Sequence, residues 1–267
     1  MIRKILFLTS YTVCLMLMSA NFVVAQKGNY FQINGLYQYS SIANRNDLLY
    51  SDYPIKFNSS FYPGFGFSYI NNSSNIFGIE LGMGYAGKGQ KYSGTIEYDA
   101  NTKDTGTIAF TSEVRFNSLH FPFLFRFNSI LDEDVVFLTI SAGVQLDYLI
   151  SARMTVSPAP LIPAGGEIDI KQLYNSANLS FVSNAIFNWQ FSDLWLLNFG
   201  INMSRSLFNI EKLNFPFDKN LHAVEYYFPV SVKKEIRPAL EDIVKRQPSK
   251  FINYAFVVGV SFLIKPI

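Results

Sequence analysis

The chain has 267 residues, 49% of them hydrophobic and 16% charged, with a formal net charge of +2. So low a charged fraction, against roughly 25% in ordinary soluble proteins, argues against a surface that faces water all round. The small net charge gives no basis for nucleic-acid binding, and the length suits one domain behind a leader.

The N-terminus reads as a secretory signal. Arg3 and Lys4 precede a mostly apolar run from Ile5 to Met18, and Val23, Val24 and Ala25 lead to an expected cut before Gln26. The expected division is a removed signal, residues 1–25, and one barrel domain, residues 26–267. The run is short and broken for a transmembrane helix, and no later stretch approaches about 20 apolar residues. Cys14 is the one cysteine and lies inside the signal, without the small preceding residue that lipidation needs. The expected mature chain therefore has no disulfide and no zinc–thiolate site.

Beyond the signal, eight segments alternate apolar and polar residues, the mark of strands with unlike faces. In residues 29–39, Phe31, Ile33, Tyr37 and Tyr39 oppose Gln32, Asn34 and Gln38. Residues 61–70 set Phe65, Phe67 and Tyr69 against Gly64, Gly66 and Ser68. Residues 76–87 set Phe77, Ile79, Leu81, Met83 and Tyr85 against glycines and Glu80. Residues 113–127 carry Leu119, Phe121, Phe123, Phe125 and Phe127, with a phase slip near Asn117–Ser118 that suggests a bulge. Residues 135–150, 176–191, 195–208 and 251–265 complete the set, the last with Tyr254, Phe256, Val258 and Val260 on its apolar face.

The connections alternate strictly. Residues 71–75, 128–134 and 192–194 are short and rich in turn formers; residues 40–60, 88–112, 151–175 and 209–250 are long. The expected fold is all-β: an eight-stranded antiparallel up-and-down transmembrane barrel in a bacterial outer membrane, with short periplasmic turns and long extracellular loops. A soluble barrel with an apolar cavity is the rival. Its narrow interior cannot take every phenylalanine face, and its outside would be rich in Lys and Glu. Rings fall into two expected belts: Tyr37, Tyr39, Tyr85 and Tyr148 toward the long loops, and Tyr30, Tyr69, Trp189 and Trp195 toward the short turns.

Three stretches resemble the PorT-like outer-membrane β-barrel family of Bacteroidota: residues 117–127, residues 140–150, and the end with Gly259, Phe262 and Ile264. His120 stands where that family usually has Glu, and Val144 where Pro is common. The resemblance implies recognition of the C-terminal strand by the barrel assembly machinery during insertion. The family's namesake takes part in type IX secretion, so the resemblance also implies a possible accessory role there.

Candidate chemistry is sparse. Glu80 and Arg126 face the expected lumen on adjacent strands, as an ion pair in a narrow interior. Asp147 lies nearer the long loops, with Arg115 or Arg153 as expected partner. Pro122 removes a ladder donor in mid-strand and is expected at a bulge. Glycines on the inner faces of strands two and three leave room for a thread of water. His120 is expected to pack inside, and His222, with Asp218 and Glu225 nearby, has no nucleophile motif beside it.

The last long loop is an expected interface or lid. It holds His222, Tyr226, Tyr227, Lys233, Lys234, Arg237, Lys245 and Arg246, and residues 236–247 have the spacing of a short helix. Expected partners are outer-membrane lipid and lipopolysaccharide, the assembly machinery, and a protein at the loops, with no nucleic acid, cofactor or metal. The function expected is non-catalytic: structural, binding or secretion-accessory. A narrow small-solute channel is the alternative, and a lipid-modifying enzyme the third reading.

Overall fold

The computed structural model describes residues 28–43, 56–74, 76–99, 105–132, 136–156, 167–212 and 249–266. Its strands are β1 (Gly28–Ala43), β2 (Lys56–Asn72), β3 (Phe77–Asp99), β4 (Thr105–Asp132), β5 (Val136–Val156), β6 (Glu167–Asp169), β7 (Ala177–Ser192), β8 (Trp195–Ser206) and β9 (Lys250–Pro266). A one-turn 3-10 helix, Lys171–Leu173, follows β6. The expected signal and residues 213–248 of the last long loop, with its candidate helix and all its interface residues, lie outside the described residues.

Eight of these strands form a closed antiparallel barrel. The order runs β4-β3-β2-β1-β9-β8-β7-β5, and β4 pairs back with β5. β6 hangs on the outer end of β5 and is not part of the wall. Gly28 is opposite Asn72 on one side and Pro266 on the other, so the first and last strands meet at the short-turn end. Closure leaves the wall without an open edge, which satisfies every strand's ladder from its neighbours.

The wall extends further than alternation suggests. β3 and β4 stay paired as far as Asp99 and Thr105, so most of residues 88–112, expected as loop, is a tall hairpin. The reason is a change of faces. Over the lower wall the apolar side chains point outward: Phe65, Leu81, Phe125, Phe187, Phe199, Phe256 and Val258 are all exposed. Cross-strand rings stack there, as between Tyr37 and Phe61 (5.1 Å) and between Phe187 and Phe199 (5.7 Å). Above this belt the order inverts. Tyr92, Val114, Phe116, Ala152 and Met154 point inward, while Lys91, Arg115 and Arg153 point outward.

The expected slip at Asn117–Ser118 is a register shift between β4 and β5. The extra residue belongs to the partner: Asn117 opposes Ser151 and Ser118 opposes Leu149, leaving Ile150 unpaired. β4 itself keeps its phase, because Val114 and Phe116 are inward residues of the upper region. Pro122 sits at no bulge; Leu81 opposes Phe123 and Gly84 opposes His120 in one unbroken register. Its ring points into the lumen, where Gly82 leaves the space that a Cβ would take.

Candidate functional site

The lumen is built in layers from the short-turn end upward. Tyr30, Ile70, Phe137, Leu196 and Leu263 come from five strands and form an apolar floor. Tyr30 is 2% exposed, so it belongs to this plug and not to the outer ring belt. Its neighbour Phe31 takes the outward position, as the two-residue period of β1 requires.

Above the floor a chain of polar side chains crosses seven strands. Ser68 donates to Glu80 (2.9 Å), and Arg126 donates to the other Glu80 oxygen (2.6 Å) and to Thr139 (3.4 Å). Asn188 donates to Thr139 (2.9 Å), Asn198 to Asn188 (2.7 Å), and Ser261 to Asn198 (2.9 Å). On β1, Gln32 is the Cα partner of both Ser68 and Ser261, so the remaining strand supplies an amide at the same level. The expected Glu80–Arg126 pair is present, and both side chains are buried. Such a pair in a low-dielectric interior needs further bonding, and Ser68 and Thr139 supply part of it, while the Arg126 Nε is left without a partner among the described residues.

Next comes a cavity of about 70 Å³, lined among others by Gln38, Glu80, His120, Arg126 and Gln145. That is room for a few waters. Of the inner glycines, Gly66 of β2 lines this cavity, whereas two on β3 are covered. His120 fills the notch at Gly84, and Pro122 fills the one at Gly82.

Asp147 lies in the lumen opposite His120. Its partner is Lys88 (2.8 Å), not Arg115 or Arg153, which lie on the outer face. Gln145 and Ser180 donate to its two oxygens, each at 2.7 Å. Sequence reading missed Lys88 by placing it in a loop. The signal was there: Ala86, Lys88, Gln90 and Tyr92 continue the inward positions of β3, with Gly87 and Gly89 between them. The Lys88 ammonium also lies 5.6 Å from the Phe251 ring centre.

A second apolar plug closes the long-loop end. Phe116 meets Tyr174 edge-on at 4.7 Å and Phe251 at 4.9 Å, with Met154, Leu149, Ile170 and Ile210 packed round them. The 3-10 turn brings Ile170 and Tyr174 inward, and Asn175 fixes it by donating to the carbonyls of Asn209 and Glu211. His222, Asp218, Glu225 and the aromatic and basic residues of the last loop lie outside the described residues.

No protein-family model matches the sequence, and no curated protein does. Among solved structures, the chain is similar to the outer membrane protein OprG from Pseudomonas aeruginosa, at 9% identity and a TM-score of 0.36, over 91% of this chain and 98% of that one. It is similar to Ail, the attachment invasion locus protein of Yersinia pestis, at 10% identity and a TM-score of 0.36, over 88% and 99%. Neisserial surface protein A gives 13% identity and a TM-score of 0.36, over 90% and 99%. These likenesses are loose, and the eight-stranded closure stands on this chain's own strand pairing.

Proposed function

We propose that the protein is a non-catalytic barrel of a bacterial outer membrane, with a structural, binding or secretion-accessory role carried at its long-loop end. The observation that supports this best is the inversion of faces along one wall. The lower wall has apolar residues outside and polar residues within, as lipid demands. The upper wall has charges outside and an apolar core within, as water demands. A soluble barrel has no reason to change sense partway up a strand.

Two apolar plugs and a small cavity between them favour a filled scaffold over the channel alternative. Glu80 pairs with Arg126 and Asp147 with Lys88, which favours a structural role for the lumen's charges. The resemblance to the PorT-like family would make secretion one setting for it. Lipid, lipopolysaccharide and the assembly machinery are the partners that this placement implies, with a protein partner at the last loop.

The test uses the protein refolded in detergent and reconstituted into planar bilayers. We expect heat-modifiable gel migration, a β-rich circular dichroism spectrum and no steady conductance. Solubility without detergent would remove the membrane reading, and stable unitary currents would turn the scaffold into a channel.

A further inference from the structure

We propose that Arg115 and Arg153, side by side on the outer face of β4 and β5, form a binding site for the phosphate of an anionic lipid headgroup in the outer leaflet. The inference rests on the membrane reading above and names a ligand for one place on the rim.

The two arginines are direct cross-strand partners. Both are exposed on the outer face. Side chains so placed start from Cβ atoms roughly 4.5–5.5 Å apart, and like charges directly opposite repel. Arg153 has Glu167 at 3.0 Å. Arg115 has no carboxylate within ion-pair distance among the described residues. Its guanidinium instead lies 5.6 Å from the Tyr62 ring centre. That ring is fixed in turn: its hydroxyl donates to Glu113 (2.9 Å), and it lies against Gly87 and Gly89, where a Cβ would intrude. An anion between the two guanidinium groups would relieve the repulsion, and phosphate matches their planar forks.

Their height fits a headgroup. On β5, Ile150 is the last exposed apolar residue below Arg153; on β4, Leu119 and Asn117 lie below Arg115. The unpaired Ile150 shifts the phase of β5, and without it Arg153 would point into the lumen. The bulge thus sets the second arginine beside the first.

The rest of the rim agrees. Going up each strand from the belt, the first outward charge is Lys91 on β3, Arg115 on β4, Arg153 on β5 and Arg205 on β8. The acids Glu113 and Glu167 come one step further out, and Asp169 lies opposite Arg153 on its other side, where it accepts from the Lys171 backbone N–H (2.9 Å). At the opposite end, the segment joining β4 to β5 reads Asp132, Glu133, Asp134, and the β7–β8 turn carries Asp193. Outward basic residues thus outnumber those at the short-turn end, where β9 carries Lys265, and they lie at the end that would meet an anionic leaflet.

The experiment titrates the refolded full-length protein in uncharged detergent with bis-phosphorylated lipid A, with dephosphorylated lipid A and with inorganic phosphate. Heat-modifiable migration is checked for every sample. We expect the double variant R115Q/R153Q to fold and to bind bis-phosphorylated lipid A roughly tenfold or more weakly. R205Q should bind like the wild type, and dephosphorylated lipid A should bind wild type and double variant alike. Unchanged affinity in R115Q/R153Q overturns the site, as does equal binding of both lipids by the wild type. An equal loss in R205Q replaces the pair with a diffuse basic rim. Inorganic phosphate that competes as well as lipid A replaces the lipid with a free anion. A wild-type protein that never migrates as a folded barrel overturns the membrane reading first, and is told apart from the other outcomes by the gel.

Discussion

At the scale of single residues, the interior is governed by who bonds to whom more than by residue type. Glu80 illustrates this. It accepts from Ser68 and Arg126, and both ends of the pair are buried. Glu80→Ala would leave a guanidinium without its counter-charge, which typically costs about 3–5 kcal/mol. Glu80→Gln keeps an acceptor and should cost less. Urea unfolding in detergent, followed by tryptophan fluorescence, should rank wild type above E80Q and E80Q above E80A; equal midpoints would mean the pair is idle. Asn188 is a second case. In sequence it is one more lumen amide, yet it donates to Thr139 and to two carbonyls and accepts from Asn198. Outward residues obey a simpler rule. Phe123→Arg places a charge in the belt, where mid-depth positions cost about 2–4 kcal/mol. Its refolding yield into lipid vesicles should fall well below that of Phe123→Leu, and matching yields would contradict the outward phase.

At the scale of elements, the strands were legible because lipid and a narrow lumen impose opposite demands on alternate residues. Eight segments, their order and the outward face of each follow from that one constraint. The same argument failed wherever the constraint changes. Above the belt, Val114, Phe116 and Met154 turn inward, so a rule expecting apolar residues outside reads an interruption in what is continuous strand. Lys88 was lost for the same reason, and with it the partner of Asp147. Tyr30 was misassigned because belt position was judged by height alone, without its parity. Pro122 misled because proline signals a ladder defect, whereas here glycine across the strand simply accommodates the ring. The β6–3-10 unit had no alternation to announce it; it is recognisable only from the apolar surface of Phe116 and Phe251 that it covers.

At the scale of the whole molecule, the barrel wall and the long connection after β8 are separable. Wall hydrogen bonds come from neighbouring strands, and Phe116, Met154, Tyr174 and Phe251 of the upper plug lie outside that connection. Deleting residues 217–247 should therefore leave heat-modifiable folding intact, while removing the recognition proposed for Tyr226, Tyr227, Lys233, Lys234, Arg237, Lys245 and Arg246. Membrane yield and partner recovery from the native membrane check both halves. A deletion that abolishes folding would make that segment part of the wall. A deletion that folds but conducts ions would make it a lid.

The inversion of faces also determines where the barrel comes to rest. Its wall strands differ widely in length, from 12 residues in β8 to 28 in β4, so length cannot set its depth. Side-chain order can. Sinking by one residue pair, about 6–7 Å along a strand, would carry Arg115 and Arg153 into hydrocarbon. Rising by as much would lift Tyr37 and Tyr148 clear of the boundary and bring Trp189 and Trp195 into the acyl layer. The protein is held at one draught, like a hull with its waterline painted in tyrosine and arginine.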